Sequence, residues 1–323
     1  MPPRGNLGRR MGHVRPTDEQ FFRTMIRLRH VEKALSDLSA SGQLRGSLHL
    51  CEGQEACPAG ACAALEKEDY LTATYRGHGY VLAKGTSLDK VIAEVLGRST
   101  GLCKGKGGKM HLFDQEFGVL GTNGIVGAGV GTACGAALAS KLDGTNRVAM
   151  TVFGDGANNQ GHLMECWNMA VLYKLPVIFF CENNLYSEMT PLSRSHGNIN
   201  LSERARGFGL HTESVNGNDP HAVFEVVSKT ADRARQGQGP TFIEAMTYRT
   251  TGHYQADSGT AYRTKEEVED WRSRSPILLL KQRIGAIAEE IETEELAIVQ
   301  ASVAKALSEP TPNPNQAMTE VFA

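Results

Sequence analysis

No stretch of this sequence stays apolar for the roughly 20 residues that a bilayer-spanning helix needs. The apolar runs "VIFF" (177–180) and "ILLL" (277–280) are far too short. An excess of one charge is missing too. The chain's 34 Lys and Arg against 36 Asp and Glu leave a formal net charge of −2, without the basic face that nucleic acid demands. Seven cysteines (51, 57, 62, 103, 134, 166 and 181) form no CxxC pair, which argues against a zinc site or a disulfide framework. Reduced thiols in the cytoplasm are the expectation. A GxSxG nucleophile elbow is absent as well. "GKGGK" (105–109) lacks the Ser or Thr that a P-loop places after its lysine, and "GAGVG" (127–131) has Thr132 where a dinucleotide fingerprint has its third glycine.

What remains is an ordinary composition, 41% apolar and 22% charged over 323 residues. Residues 1–16 carry Arg4, Arg9, Arg10 and Arg15 without an acid. They are too rich in Gly and Pro for an amphipathic transit helix, so a disordered arm is expected, and the cytoplasm ahead of a mitochondrial matrix. Thr17 and Gln20 have capping-box spacing and open a helix with Met25, Leu28, Val31, Leu35 and Leu38 on one face. Helices are expected near 55–66, 88–97 and 132–142, and through the C-terminal third, where Ile284, Ile287, Ile291 and Leu296 recur periodically. Residues 101–131 are dense in glycine and read as one long loop, which a compact domain keeps only for a purpose.

The most informative stretch is "GDGANNQG" (154–161). It follows an apolar strand-like run (148–153), precedes a helical segment (about 159–173), and is succeeded by a second strand ending in Asn183–Asn184. Strand, helix and strand make a βαβ unit and hence a parallel sheet. Residues 17–323 are expected to form one α/β domain, a mostly parallel sheet sandwiched by helices with helical extensions at both ends. In such sheets ligands bind at the carboxyl edge. If the two strands are neighbours, Asp155 and Asn184 converge there. Oxygen ligands suit a hard cation such as Mg²⁺, and the helix N-terminus suits an anion, so the unit reads as a metal-plus-diphosphate site.

"GDGANNQGHLMECWNMAVLYKLPVIFFCENN" is similar to the thiamine diphosphate motif. The wider chain resembles the E1 α subunits of 2-oxo acid dehydrogenase complexes, the pyruvate and acetoin dehydrogenase family. "HLCEGQEA", "TATYRGHG", "KGKGGKMH", "GIVGAG", "YKLPVIFFCENN" and "YRTTGHYQADSGTAYRT" stand in that family's order, over roughly residues 20–280. The resemblance implies the thiamine diphosphate-binding fold, with Mg²⁺ held by Asp155, Asn184 and the backbone of Tyr186. It implies diphosphate contacts from Tyr75 and Arg76 and from the amides of Gly156 and Ala157. Gly124 and Val126 would present backbone to the aminopyrimidine ring. His253 would stabilise the diphosphate and assist acyl transfer, and His49 would face the substrate.

The activity implied is decarboxylation of a 2-oxo acid, pyruvate-type or branched-chain, with reductive acylation of lipoamide on an E2 acyltransferase. Acetoin cleavage is the alternative, and half of a split transketolase a remote one. The family's catalytic carboxylate comes from a β subunit, so an α₂β₂ heterotetramer is implied, with no nucleic acid or membrane partner. Two positions depart from mitochondrial relatives, whose phosphorylatable serines are replaced here by Tyr254 and Ala261. "LYSEMTPLSRSH" after "ENN" also differs from the expected pyruvate-type sequence and leaves the substrate open.

Overall fold

The computed structural model describes residues 14–44 and 46–318. Residues 1–13 of the predicted arm therefore lie outside the described residues. Arg15, at its end, pairs with Glu225 at 2.7 Å and donates to His221 Nδ1. Helix α1 (Asp18–Ala40) opens on the expected capping box. The Thr17 side chain accepts from Gln20 N while the Gln20 side chain accepts from Thr17 N. Then follow α2 (Ala56–Ala63), β1 (Tyr70–Thr74), α3 (His78–Ala83) and α4 (Leu88–Val95).

The glycine-dense stretch is not all loop. It contains strand β2 (Val119–Asn123) and the first turn of α5 (Gly129–Asp143). Glycine is a weak strand former alone, but here partner strands and tertiary packing override propensity. The βαβ unit follows as β3 (Ala149–Gly154), a 3₁₀ turn (Asp155–Asn159), α6 (Gly161–Leu172) and β4 (Val177–Asn183). A small hairpin, β5 (Tyr186–Ser187) and β6 (Thr190–Pro191), leads into α7 (Leu192–Ser195) and α8 (Leu201–Arg206). The chain closes with β7 (His211–Asn216), α9 (Pro220–Arg235), β8 (Thr241–Met246), α10 (Lys265–Ser273), α11 (Pro276–Ile284) and α12 (Ile287–Ser308).

The main sheet has the order β2-β1-β3-β4-β8-β7, with every pairing parallel. Its side chains alternate between two cores, as the period of two in a strand requires. Met150, Val152, Ile178, Phe180 and Ile243 pack with α1, α2 and α9 residues on one face. Ala149, Phe153, Phe179, Cys181 and Phe242 pack with α5 and α6 on the other. The chain leaves β1 toward β2 on one side and returns to β3 on the other. That reversal is the switch point where connecting loops part and leave a crevice. At the periphery, α12 is clamped to α1 by the buried Glu295 carboxylate, which accepts from Arg23 Nη1 (2.7 Å) and from Arg27 Nε (2.5 Å) and Nη2 (3.0 Å).

Trp167 anchors the α6 side. It is fully buried and edge-on to Phe242 at 5.5 Å, Phe208 at 5.6 Å and Phe179 at 6.5 Å. Trp167→Ala is expected to lower folding stability by about 3–5 kcal/mol, the usual cost of emptying such a site. A urea midpoint within experimental error of the unsubstituted chain would contradict this.

Candidate functional site

The loops after β1, β2, β3, β4 and β8 enclose one cavity of about 330 Å³ at the carboxyl edge of the sheet. Its lining includes each site residue expected from the sequence: His49, Tyr75, Arg76, Gly124, Val126, Asp155, Gly156, Ala157, Asn184, Tyr186 and His253. The register explains the convergence of two of them. β3 and β4 are parallel neighbours with Gly154 opposite Glu182, so Asp155 and Asn184 leave the ends of adjacent strands within one residue of the same level. The two asparagines of "ENN" divide their work. Asn183 turns into the sheet, donating to Glu244 Oε1 at 2.8 Å and accepting from Leu185 N. Asn184 faces the cavity and donates to Gln54 Oε1 at 2.9 Å.

Asp155 is buried, and its Oδ2 has no hydrogen-bond partner. Burial pushes its carboxyl up to about 6, opposed by its own backbone amide, by the charge of Arg249 and by the Gly156 amide. An unpartnered buried carboxylate oxygen is costly unless a cation or donor completes it. Gly156 is required beside it, since a Cβ there would lie 2.1 Å from Ser187 Oγ. Tyr186 commits its hydroxyl to Glu267, at 2.8 and 3.0 Å from the two carboxylate oxygens. Leu185 and Glu188 hold left-handed backbones (φ 71° and 56°), strain that non-glycine residues keep only where surrounding bonds enforce it. Leu192 N donates to Leu185 O, and Arg249 Nη2 to Glu188 O.

At the other end of the cavity the rings of His49, Tyr75 and His253 pack together. His49 lies 4.4 Å from Tyr75 and 5.0 Å from His253. Burial, reinforced by the positive charge of Arg76, lowers His49 to about 4 and His253 to about 3. Both imidazoles are thus held toward the neutral form. Arg249 Nη1 stands 3.3 Å from His253 Nδ1, and Asp257 accepts from the His253 amide at 2.6 Å. Arg76 is buried, with its guanidinium donating to the carbonyls of Leu50 and His253.

Several lining residues were not singled out from the sequence. Gln54 positions Asn184 and keeps a buried, unpartnered Nε2. Glu182 is raised to about 7 by burial, against the influence of the nearby Tyr80 hydroxyl and the charge of Arg76. Met110, Ser187, Glu188 and Arg249 complete the wall. Gln54, Glu182, Met110 and Arg249 stand inside the quoted motifs "HLCEGQEA", "CENN", "KGKGGKMH" and "YRTTGH", so the signal was present but unassigned. Among the described residues no group of three or more His, Cys, Asp or Glu could hold a metal ion by itself. A cation here would therefore lean on amide, backbone or ligand oxygens.

A parallel α/β sheet carrying acid, amide, arginine and paired histidines in one switch-point cavity defines a cofactor-binding α/β enzyme. The chain matches the family model "Dehydrogenase E1 component" over residues 23–318. It is 40% identical over 307 residues to the α subunit of acetoin:2,6-dichlorophenolindophenol oxidoreductase from Bacillus subtilis (strain 168), covering 93% of this chain and 92% of that one. Identity to the human somatic mitochondrial pyruvate dehydrogenase E1 α subunit is 40% over 291 residues, 90% and 73% of the two chains. To the Rickettsia bellii (strain RML369-C) pyruvate dehydrogenase E1 α subunit it is 37% over 323 residues, 97% and 99%. The chain belongs to the dehydrogenase E1 component family and is an oxidoreductase subunit of the α type.

The raised Asp155 has a consequence for stability. Its folded value, about 6, lies above the unfolded 3.8. The native state's advantage is therefore full below pH ~4 and lost as pH rises through ~6, at about 3 kcal/mol for two units. Asp155→Asn is expected to stabilise the ligand-free chain by up to about 3 kcal/mol near pH 7 and by little near pH 4. Equal melting shifts at both pH values would contradict this.

Proposed function

We propose that the cavity holds the diphosphate half of thiamine diphosphate with Mg²⁺, and that the chain is the E1 α subunit of a 2-oxo acid dehydrogenase. The observation that carries this is the buried, unpartnered Asp155 oxygen beside Asn184 at the carboxyl edge of β3 and β4. Asp155, Asn184 and the Tyr186 backbone would hold the metal, a hard-oxygen set suited to Mg²⁺ with phosphate oxygens completing it. Tyr75, Arg76 and the amides of Gly156 and Ala157 would bind the diphosphate, with Gly124 and Val126 against the aminopyrimidine. When bound, thiamine diphosphate supplies the electron sink that allows a carbon–carbon bond beside a carbonyl to break.

His49 and His253, neutral and packed together, would hydrogen-bond the substrate oxygen from the cavity wall. Arg249 donates to His253 Nδ1, which would put the neutral ring's proton on Nε2 and make Nε2 a hydrogen-bond donor toward that oxygen. The 2-oxo acid is the main reading of the substrate, with the acyl group passing to lipoamide on an E2 acyltransferase. The catalytic carboxylate that activates the aminopyrimidine is assigned to a β subunit in an α₂β₂ assembly. Ile125 and Val126, exposed beside the cavity, are apolar surface for such a neighbour to cover.

One observation favours acetoin as the second reading. The Bacillus subtilis relative is named for acetoin.

The purified chain alone is expected to show no turnover of pyruvate, branched 2-oxo acids or acetoin, and the pair with its β subunit to gain thiamine diphosphate-dependent activity. Turnover by the isolated chain would overturn the two-subunit reading. In the pair, Asp155→Ala should weaken Mg²⁺-dependent cofactor binding by at least about a hundredfold, the scale of losing a charged ligand buried in a site. Unchanged affinity by calorimetry would show that Asp155 is not a ligand.

A further inference from the structure

"GKGGK" (105–109) lacks the residues of a P-loop, and the amides of the surrounding loop are occupied from within the chain. Glu94, near the C-terminal end of α4, is fully buried. One of its carboxylate oxygens accepts from Cys103 N (2.7 Å) and Gly105 N (2.9 Å), the other from Gly107 N (2.8 Å) and Gly108 N (2.9 Å). Four backbone donors around one anion form a nest, the geometry that other loops use for phosphate. Here a side chain of the same protein fills it.

The glycines follow from this closeness. A Cβ on Gly101 would lie 2.5 Å from Glu94 Cα and Oε2, and one on Gly107 would lie 2.2 Å from His111 O. The far end of the loop reaches the cavity. His78 Nε2 meets Lys109 O at 2.9 Å, and Thr122 Oγ1 donates to Met110 O while accepting from Leu112 N. Met110 lines the cavity, and its Sδ would be 3.8 Å from a Cβ on Gly124, another lining residue.

We infer that Glu94 is a positioning residue for the cofactor cavity: an internal carboxylate that folds the glycine loop around itself and so sets Met110 against Gly124. The role rests on the reading of the cavity as a thiamine diphosphate site. Glu94 touches neither cofactor nor substrate and acts only through the loop.

The test compares the α–β complex carrying Glu94→Gln with the unsubstituted complex. The isosteric amide turns one acceptor oxygen into a donor, so two of the four amides lose their partner. Hydrogen exchange of residues 103–108 is expected to accelerate at least about tenfold, the equivalent of one lost charge-assisted bond. The calorimetric Kd for thiamine diphosphate with Mg²⁺ should rise by a similar factor, while kcat at saturating cofactor stays within about threefold.

Unchanged exchange in 103–108 would overturn the role of Glu94. Accelerated exchange with an unchanged cofactor Kd would overturn its link to the cavity. If the unsubstituted complex binds no thiamine diphosphate, the functional reading fails, and the exchange data still judge the nest separately. Should Glu94→Gln fail to fold, Gly107→Ala decides. It leaves the carboxylate intact but cannot keep the loop path, so it should weaken the cofactor in the same way, and normal cofactor affinity would overturn the proposal.

Discussion

The parallel pairing of β3 with β4 is the constraint on which the rest of the site depends. With Gly154 opposite Glu182, the two chains leave the sheet together, and Asp155 and Asn184 arrive at one place. A slip of one residue would carry every side chain of the strand to the opposite face. The register is therefore fixed far from the cavity, by Met150, Val152, Ile178 and Phe180 on one face and Phe153, Phe179 and Cys181 on the other. The geometry of the site is in this sense a product of hydrophobic packing. Polar residues exploit a position that the apolar ones determine.

Electrostatically the cavity is unbalanced by design of its parts. Asp155 and Glu182 are buried and driven toward their protonated forms, while His49 and His253 are driven toward neutrality. The same desolvation acts on all four and has opposite consequences for acids and bases. Arg76 and Arg249 stay in their positions by bonding carbonyl oxygens of Leu50, His253 and Glu188 rather than carboxylates. Their charge is thus left to act on whatever enters. An anionic group bearing a cation would relieve Asp155 and the two arginines together, which is why cofactor binding and chain stability should be strongly linked.

The βαβ unit, the capping box at Thr17 and the parallel sheet were legible because each rests on a local pattern with a physical cause. The convergence of Asp155 and Asn184 could be anticipated once the strands were taken as neighbours. Hydrophobic periodicity could not reveal that Asn183 turns inward to Glu244, because the two asparagines are identical in sequence and differ only in the strand's alternation. Nor could it reveal β2, whose "VLGTN" has a glycine at its centre and gains its regularity from β1. Gln54 was invisible for a different reason. Its role is to hold Asn184 from 130 residues away in sequence, and no spacing rule reaches that far.

The glycine-dense stretch shows how one sequence feature can serve two ends of a molecule. Its first half gathers its amides on Glu94, and its second half supplies β2 and the backbone at Gly124 and Val126. Phosphate-binding loops leave such amides open for a ligand. Here the internal carboxylate closes them, whereas at the turn after β3 Gly156 and Ala157 line the cavity beside an acid with an unpartnered oxygen. Two glycine clusters of similar appearance thus have opposite electrostatic fates. What separates them is whether a buried side chain occupies the loop amides, a distinction set by α4 and Glu94 rather than by the glycines themselves.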